Sequence, residues 1–471
     1  MRVWLITPPL APPRGGRIAA ISRNLFFNSP PLGLAYIAAV LERAGHDVTL
    51  TDAAVEGLDL DALASRAADI QPGLVGLTAT SLHFDEATRA AQALRHTLAG
   101  VPVVLGGPHI NAQPELLLDH PEFDLGVLGE GEITTRELVE ALEGGDGWED
   151  LPGTVHARDG ELYRAPPRAP LADLDQLPLP ARHLLPISEY RPLPNDQRLL
   201  PKTSAISSRG CPFQCIFCDK AVFGHGYRSF SPTRVVEEIH HLEERFGVRD
   251  IAFVDSTFTP SRERLAGVLD AMEADPPRAS WTASCRANLL DEGLLRRMRA
   301  MGCWRIRIAI ESGDDDILAR IRKGITREQF ADTVQTAARL GFLVKAFFMV
   351  GHIGETAGSV ERTIRFAESL PLADVTVQIN TPMRGTPQYD ICRQHGTLLE
   401  GGPTRASFFE PLFVPRGMTP EQLVAAQKSF YRRFYLRPAV LWRQLRTVRR
   451  PTDLAKFLRA APLAASVMLP S

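Results

Sequence analysis

The first 145 residues alternate short, continuously apolar runs with longer segments in which apolar residues recur at helical spacing. Apolar runs of this length predict strands buried on both faces, and the helical spacing predicts amphipathic helices between them. Gly closes the helical segments 32–45 and 85–100, as is common at helix C-termini. The alternation predicts an α/β fold with a doubly wound, Rossmann-like parallel sheet. The predicted strands are residues 2–7, 47–52, 74–79, 101–107 and 124–130.

The alternation stops between residues 146 and 200. Asp159 and Gly160 form a turn signal within residues 153–166, which predicts a β-hairpin. The Pro-rich stretch 170–194 predicts an extended connector. We therefore expect the first domain to span residues 1–145, with the hairpin and a Pro-rich linker over 146–200.

Strand and helix patterns resume after residue 200. A helical pattern follows each of the first five predicted strands, for example at 232–247 and 359–370. Parallel strands alternating with helices over about 180 residues predict a full or partial (β/α)6 TIM-like barrel, which we place at 201–390. In such barrels the chemistry lies at the carboxyl ends of the strands. The six predicted strands are residues 203–208, 250–255, 280–285, 305–310, 343–350 and 374–380.

The C-terminal extension, residues 391–471, is predicted to be mostly helical and becomes basic. Residues 428–459 hold ten Lys or Arg against one acid, Asp453. One interpretation is a solvated helical cap over the open side of the barrel. The other is peripheral contact with an anionic membrane surface or a lipid-like substrate. Apolar side chains that could form a stripe are Phe430, Tyr431, Phe434, Tyr435, Leu441, Trp442 and Leu445.

The composition is that of a globular protein, with 44% hydrophobic and 23% charged residues. A formal net charge of −2 gives no reason to expect nucleic acid as a partner. Six cysteines in 471 residues do not form a disulfide framework, and half of them lie in one loop. A reducing, cytoplasmic location is therefore expected. The N-terminus lacks the apolar core of a signal peptide, and no uninterrupted apolar run is long enough to predict a membrane span.

The cysteine loop has the sequence "GCPFQCIFCDK", with Cys211, Cys215 and Cys218 in Cys-x3-Cys-x2-Cys spacing. Three thiolates can bind three irons of a [4Fe–4S] cube and leave the fourth iron open to a small molecule, whereas electron-transfer clusters have four protein ligands. The alternative is a zinc site, which usually uses two Cys-x2-Cys pairs. Its fourth ligand would come from Cys285, Cys303, His225 or His240, whereas we expect Cys285, Cys303 and Cys392 to be buried structural thiols.

The loop resembles the hallmark of the radical S-adenosylmethionine (SAM) superfamily, including an aromatic residue, Phe217, before the last cysteine. The resemblance covers roughly residues 200–390. It implies that the open iron chelates the amine and carboxylate of SAM, and that one-electron reduction cleaves SAM to a 5′-deoxyadenosyl radical. An external reductant of the flavodoxin or ferredoxin type is then implied.

The same resemblance implies SAM contacts where the predicted strands end. Asp255 and Ser256 match the segment near the SAM amine, although Ser256 stands where related proteins often have a second acid. Arg286 is a candidate partner for the SAM carboxylate, and a rim salt bridge is its alternative role. The resemblance also implies that Phe217 contacts SAM. The implied ribose and adenine contacts are Glu311, Ser312, Gly313, Gly351 and Gly354.

The first domain resembles the cobalamin-binding domain of class B radical SAM proteins, through "GLAYIAAVLERAGHDVTLTDA", "GGPHINAQPE" and "LGEGEITTRELVEAL". The Asp-x-His-x-x-Gly string that supplies a cobalt ligand in other cobalamin proteins does not occur. A surface loop position is expected for His109 rather than cobalt ligation. The helix after Gly131 could direct its N-terminus at a polar or anionic group. The implied cobalamin contacts are Thr7, Pro8, Pro9, Thr78, Thr80, Ser81, Gly106, Gly107, Pro108, His109, Gly129, Glu130, Gly131 and Glu132.

Together the two resemblances imply an enzyme that uses a [4Fe–4S] cluster, SAM and cobalamin. The first hypothesis is methylation of an unactivated carbon in a small molecule, natural product or lipid. The second is a cyclase or rearrangement enzyme of the magnesium-protoporphyrin cyclase type. A methylthiotransferase is disfavoured because a second cysteine trio is missing upstream. An iron–sulfur and cobalamin sensor without catalysis is the alternative from another class.

Overall fold

The structure is a computed structural model that describes residues 1–10, 29–399 and 409–445. The chain divides into two compact units. Among the described residues, the first unit contains 1–10, 29–191 and 219–229, and the second contains 192–218, 230–399 and 409–445.

The first unit is built on a seven-stranded sheet in the order β2-β1-β3-β4-β5-β6-β7. Its first five strands are parallel, which confirms the predicted doubly wound sheet. Because β1 lies between β2 and β3, the strand order reverses at β1 and β3, where such sheets bind ligands. The strands are β1 (Arg2–Thr7), β2 (Asp47–Asp52), β3 (Leu74–Thr78), β4 (Val103–Gly106), β5 (Leu125–Val127), β6 (Thr154–Arg158) and β7 (Glu161–Arg164).

The helices of this unit connect the parallel strands. Trp4, Ile6 and Val75 of the sheet are fully buried against them, together with Leu94 of one helix. The helices are α1 (Leu32–Arg43), α2 (Leu60–Ile70), α3 (Phe84–Thr97), α4 (Pro108–Ala112) and α5 (Gly131–Gly144), with a 3-10 turn at Pro114–Leu118.

The predicted hairpin turns at Asp159 and Gly160, both with positive φ, and it extends the first sheet. From sequence alone we expect the hairpin in the segment between the domains. In the structure β6 pairs antiparallel with β5, through Gly126 opposite Val155. The physical reason is that pairing with β6 satisfies the edge of β5 and buries Val155 in the core of the sheet.

The prediction that the Pro-rich segment is extended is only partly right. Four one-turn 3-10 helices interrupt it: Leu174–Gln176, Arg182–Leu184, Ile187–Glu189 and Pro194–Asp196. The part up to residue 191 packs on the first unit. Ala181 N donates to Ala35 O (2.9 Å), and the buried Tyr190 donates to Asp52 Oδ2 (2.9 Å). These contacts fix a segment whose composition alone predicts a linker.

The second unit contains six parallel strands in the order β15-β14-β13-β12-β11-β8, which curl into a half-barrel. The prediction of six strands and a partial barrel is therefore confirmed. The remaining strands of the chain are β8 (Lys202–Ala205), β9 (Ser208–Arg209), β10 (Arg228–Ser229, in the first unit), β11 (Asp250–Phe253), β12 (Ser280–Cys285), β13 (Cys303–Glu311), β14 (Leu343–Val350), β15 (Asp374–Ile379), β16 (Gly396–Leu398) and β17 (Phe413–Pro415).

Helices follow each strand of the half-barrel, and local signals set their ends. Ser231 caps the first of them by accepting from Arg234 N, and Gly247 ends it in the left-handed conformation. Thr326 and Gln329 form a capping box further on. The helices are α6 (Pro232–Phe246), α7 (Arg262–Ala274), α8 (Glu292–Ala300), α9 (Asp315–Arg320), α10 (Arg327–Arg339), α11 (Ala357–Ser369), α12 (Pro387–His395), α13 (Pro420–Tyr435) and α14 (Pro438–Leu445), with a 3-10 turn at Ala287–Leu289.

A network of charged side chains fills the amino end of the half-barrel. Its members are Asp196, Lys202, Asp250, Arg305, Lys345 and Asp374. Lys202 Nζ lies 3.2 Å from Asp250 Oδ2, and Asp374 Oδ2 lies 3.5 Å from Arg305 Nη1 and 3.6 Å from Lys345 Nζ. Every one of these side chains except Asp196 is more than nine-tenths buried. Buried charges of both signs therefore neutralise one another there.

Helix α13 covers the edge strand β15, where a closed barrel would continue. Tyr431 Oη accepts from Val377 N (2.8 Å) and donates to Val377 O (3.0 Å). Gln427 Nε2 donates to the same carbonyl at 2.8 Å, and Tyr435 Oη lies 3.2 Å from Val375 N. Side chains of the helix thus satisfy backbone groups that an open edge would expose.

We expect Tyr431→Phe to lower the free energy of unfolding by about 1–3 kcal/mol, because it leaves the Val377 N–H without its partner. Urea unfolding measures this difference. The matched control is Tyr163→Phe, at a hydroxyl that is bonded to Asp150 on the surface. Equal stability losses in the two variants would contradict the edge-covering role.

The predicted apolar stripe of the C-terminal extension divides into two parts. Phe430 and Phe434 are fully buried, whereas Leu441 and Trp442 are 48% and 61% exposed. The side chain of Leu445 and residues 446–471, with five of the ten basic positions, lie outside the described part. No helix in the described residues is both long and apolar enough to cross a bilayer.

Candidate functional site

The cysteine loop follows β9 at the carboxyl end of β8, where barrel chemistry is expected. Cys211, Cys215 and Cys218 are partly exposed. The other three cysteines are buried, as predicted, and burial raises the pKa of the Cys285 thiol to about 12. The accessible thiols are therefore those of the loop.

Backbone hydrogen bonds fix the centre of this loop. Ile216 is 3% exposed, and its N–H donates to Ile321 O at 3.1 Å. The Ile216 carbonyl accepts from Gln388 N at 3.0 Å, and Cys218 N donates to Cys215 O at 3.3 Å. The loop keeps its shape through the fold around it, which allows it to present three thiolates in a fixed arrangement.

The donor set fits a [4Fe–4S] cluster better than a single zinc ion. In the part of the chain that the structure describes, no three His, Cys, Asp or Glu side chains converge so that they could hold one metal ion. A cube needs its thiolates on three different irons, so they need not converge. His240 is engaged by Glu243 and Asp275, and Cys303 is fully buried, which leaves neither ready to complete a zinc site.

Two aromatic rings of the loop lie against cations. The Arg286 guanidinium carbon is 3.7 Å from the centroid of the Phe213 ring, and the Lys323 ammonium is 5.9 Å from that of Phe217. The ring of His352 lies 5.8 Å from the ring of Phe217. Cation–π contacts at such distances favour a fixed position of both partners.

Glu311 ends β13 in a strained conformation. Its φ is +70°, and the register between β13 and β14 shifts between Ala309 and Glu311. A non-glycine residue in the left-handed region costs about 1–2 kcal/mol. Lys323 Nζ holds the Glu311 carboxylate at 2.9 Å, and both side chains are buried. Strain of this kind occurs where a structure needs a side chain at one particular place.

Ser312 and Gly313 contact a helix of the half-barrel in the structure. The Ser312 hydroxyl lies 3.1 Å from Thr363 Oγ1, and Gly313 N donates to the same oxygen at 2.9 Å. A Cβ at Gly313 would lie 2.6 Å from Phe366 Cβ. The glycine therefore permits close approach of α11. The SAM contacts expected of Ser312 and Gly313 stay predictions.

The side chain of Asp255 is buried and bonds to residues just after β8, the first strand of the half-barrel. Its Oδ1 accepts from Ser207 N (3.0 Å), from Ser207 Oγ (2.8 Å) and from Ser208 Oγ. Burial raises its pKa. Its neighbour Ser256 is exposed. Of the two predicted contacts for the SAM amine, Ser256 is the accessible one, and Asp255 supports the strand ends.

The loop after β14 contains two polar residues that sequence analysis missed. His352 is fully buried, and its pKa is lowered to about 3 by burial and by Lys323. Glu355 accepts from Gly351 N and from His352 N (3.2 Å), and burial raises its pKa to about 8. Gly351 and Gly354, with φ of +92° and +74°, shape this loop, and a Cβ there would meet Leu423 and Arg320 respectively.

The Glu355 carboxyl makes stability depend on pH. Its folded pKa of about 8 lies above the usual 4.5, so the folded state binds the proton more tightly than the unfolded state. Stability is then full below the unfolded pKa and falls as pH rises towards about 8, at up to about 1.4 kcal/mol per pH unit. We expect Glu355→Gln to reduce this fall in thermal melts across that range. The control is Glu328→Gln, at an exposed carboxylate, and identical pH profiles in wild type and Glu355→Gln would contradict the assignment.

The edge of the first sheet brings several predicted cobalamin contacts together. Thr7 and Thr78 end β1 and β3 beside the reversal of strand order, and Thr7 is followed by Pro8 and Pro9. Gly107 has φ +94°, and a Cβ there would lie 2.6 Å from Thr78 Oγ1. Only glycine allows the loops after β3 and β4 to approach this closely. Gly106, paired with Thr78, ends β4 at the same edge.

The prediction that His109 lies on the surface is wrong, because the side chain is only 1% exposed. His109 Nδ1 lies 2.9 Å from Ser81 Oγ, and its ring is 4.4 Å from that of Phe84. Helix α4 turns the side chain inward, because Pro108 begins the helix and His109 N donates to Ala79 O at 3.1 Å. Thr80 instead contacts His83 Nδ1 at 2.9 Å.

The loop before α5 is held by side chains of the first unit. Glu130 is paired with Arg228, and both side chains are largely buried. Gly129 N donates to Asn111 Oδ1 at 2.6 Å. Gly131 faces Ile37 of α1, where a Cβ would lie 3.0 Å from Cδ1, and Glu132 is 5% exposed. Glu130 is therefore held by an ion pair at this helix end, and Glu132 is buried beside it.

A further buried acid at this edge was not predicted. Asp52 ends β2 opposite Thr7 in register, and burial raises its pKa to about 6. Its Oδ2 accepts from Tyr190, which is 138 residues away in sequence. The sequence contains no local signal for such a contact, although an acid at the end of a buried strand is itself unusual.

Comparison with known proteins agrees with this geometry. A family model described as the B12 binding domain matches residues 18–139, and the Radical SAM superfamily model matches residues 205–367. An uncharacterized methyltransferase of Pyrococcus horikoshii is 34% identical over 443 residues, which cover 94% of each chain. The anaerobic magnesium-protoporphyrin IX monomethyl ester cyclase of Rubrivivax gelatinosus is 29% identical over 88% of this chain and 75% of its own.

Among solved structures, the radical SAM methyltransferase TsrM of Kitasatospora setae, with cobalamin and a [4Fe–4S] cluster bound, has a TM-score of 0.72. It covers 93% of this chain and 89% of its own at 19% identity, so this likeness concerns the fold. The two family models and the relative at 34% identity show the family, whose cofactors are a [4Fe–4S] cluster, SAM and cobalamin. The chain belongs to the cobalamin-dependent radical SAM family.

Proposed function

We propose that this protein methylates an unactivated carbon of a small molecule, in a reaction that uses SAM, a [4Fe–4S] cluster and cobalamin. The observation that carries the proposal is the fixed, partly exposed cysteine loop at the carboxyl end of a half-barrel, in the same chain as a B12-binding sheet. When bound, the cluster and SAM supply a 5′-deoxyadenosyl radical, and cobalamin carries the methyl group.

We assign roles to the residues of the half-barrel on the same basis. Cys211, Cys215 and Cys218 would hold the cluster, and Phe217 would lie beside SAM. Lys323 fixes the Glu311 carboxylate at the strand end, where it could accept hydrogen bonds from the ribose hydroxyls of SAM. We propose a cobalamin-binding domain at 1–145, to which the hairpin and the rest of the segment up to residue 191 are attached, a SAM core at 201–390 and an extension at 391–471.

We place cobalamin at the edge of the first sheet where Thr7 and Thr78 end their strands. Gly107 lets the loops after β3 and β4 meet closely at this edge, which carries the small residues Thr78 and Gly106. His109 would not serve as a cobalt ligand, because its ring is buried against Phe84 and its Nδ1 contacts Ser81.

The names of the relatives indicate a broad class of substrate for this protein. A relative from Streptomyces wedmorensis is named cytidylyl-2-hydroxyethylphosphonate methyltransferase, at 27% identity, and one from Methylococcus capsulatus is named hopanoid C-3 methylase, at 28%. We infer a small-molecule or lipid-like substrate and a one-electron reductant of the flavodoxin or ferredoxin type. The exposed Leu441 and Trp442, next to the basic segment, favour the lipid-like class.

The second candidate function is a cyclase, which the Rubrivivax gelatinosus relative supports. Product analysis separates the two. Anaerobically reconstituted protein with reductant, SAM and candidate substrates should form both 5′-deoxyadenosine and S-adenosylhomocysteine if it transfers methyl groups through cobalamin. A cyclase would form 5′-deoxyadenosine alone, and a sensor would form neither. Formation of 5′-deoxyadenosine without S-adenosylhomocysteine, with the true substrate present, would overturn the methyltransferase proposal.

A further inference from the structure

The cysteine loop is hydrogen-bonded to the turn between α9 and α10. Ile216 N donates to Ile321 O at 3.1 Å, and two residues later the Lys323 carbonyl accepts from Arg286 Nη2. Gly324, with φ +65°, follows, and a Cβ there would lie 3.2 Å from the same guanidinium nitrogen. The turn is therefore shaped to receive Arg286 as well as the loop.

Arg286 contacts the loop directly. Its guanidinium stacks on Phe213 at 3.7 Å, and Phe213 lies between the first two cysteines in sequence. The same guanidinium lies close enough to the side chains of Cys215 and Cys211 to interact with both electrostatically. Its backbone is fixed in turn, because Arg286 N donates to Thr259 Oγ1 at 3.0 Å. The Arg286 side chain therefore contacts the cysteine loop at Phe213 and lies near two of its thiols.

These contacts differ from the role that the family resemblance implies for Arg286, which is to bind the SAM carboxylate. The guanidinium is stacked on a ring and its Nη2 donates to a carbonyl, so protein contacts at the loop fix the position of its plane. Planar stacking together with directed bonds is a property of arginine that lysine does not share.

We propose that Arg286 is a positioning residue of the iron–sulfur cluster, which holds the loop in place and donates a charged hydrogen bond to the Cys215 sulfur. This inference rests on the proposed role of the three cysteines as cluster ligands. Reduction adds an electron to the cluster, and a nearby positive charge and a hydrogen bond to a ligand sulfur both stabilise the reduced form. Arg286 therefore raises the reduction potential of the cluster before SAM binds.

The test is an anaerobic redox titration of the reconstituted protein without SAM, followed by electron paramagnetic resonance of the reduced cluster. Arg286→Gln removes the charge, and Arg286→Lys keeps the charge but loses the planar fork. The matched control is Arg299→Gln, at another arginine that lies over a phenylalanine ring, Phe342, at 6.0 Å. We expect the potential to fall in the order wild type, Arg286→Lys, Arg286→Gln, with Arg299→Gln equal to wild type.

The outcomes separate this inference from the proposed function. Equal potentials and iron contents in wild type and Arg286→Gln would overturn it, and a loss of SAM affinity alone would make Arg286 a SAM ligand instead. If a folded Arg286 variant takes up less iron than Arg299→Gln, the loop-holding role is supported. If the wild-type protein itself assembles no cluster, the proposed function fails, whatever Arg286 does.

Discussion

Replacing Cys215 with alanine should remove the [4Fe–4S] cluster and reduce SAM cleavage to the level of the protein-free reaction. Cys215 is one of three thiols that the fold presents at the carboxyl end of the half-barrel, and the backbone of Ile216 beside it is bonded on both sides. The variant would keep only two of the three thiolates that bind the cube, whereas electron-transfer clusters use four protein ligands. Iron content and 5′-deoxyadenosine formation measure the effect.

The matched control for this variant is Cys392→Ala. Cys392 is fully buried in α12, and its thiol is bonded to Tyr389 O at 3.0 Å, so it is a structural residue. We expect this variant to keep the iron content and SAM cleavage of wild type. A Cys215→Ala protein with the full iron content and undiminished cleavage would show that the loop is not the ligand set.

Replacing Asp250 with alanine should destabilise the second unit by about 3–5 kcal/mol. Asp250 is fully buried and pairs with Lys202 Nζ at 3.2 Å. It also accepts from Ser280 Oγ and Trp304 Nε1, each at 2.9 Å. Removing the carboxylate leaves a buried ammonium without its main partner, and burial already lowers the pKa of Lys202.

Urea unfolding, followed by the fluorescence of the buried Trp281 and Trp304, measures this loss. The control is Asp270→Ala, which breaks an ion pair with Arg297 at a carboxylate that is 69% exposed. Exposed pairs contribute only about 0–1 kcal/mol. Comparable losses in Asp250→Ala and Asp270→Ala would mean that the network at the amino end of the half-barrel is not a stabilising unit.

The framework could be predicted from sequence because buried parallel strands are continuous apolar runs with recognisable ends. Residues 343–350 are an example, since the predicted strand and β14 have the same bounds. The cysteine loop was equally clear, because its spacing is local. In both cases the information lies within a few neighbouring residues.

What sequence could not predict depends on residues that meet only in the folded chain. Lys323 pairs with Glu311 across a turn, and Asp52 is bonded to Tyr190 from the Pro-rich segment. Gly313 is predicted to contact SAM, and the sequence does not show that it also lies against helix α11, because a glycine pattern does not reveal what approaches it. Arg286 was placed at the correct strand end, yet its contacts with Phe213 and the 321–324 turn follow from packing.

The most direct test of the central claim is the electron paramagnetic resonance spectrum of the reduced, anaerobically reconstituted protein before and after SAM is added. A cube with an iron that lacks a protein ligand should contain about four irons per chain and change its spectrum when SAM binds to that iron. Protein that retains zinc in place of iron, or a cluster whose spectrum is the same with and without SAM, would contradict the account.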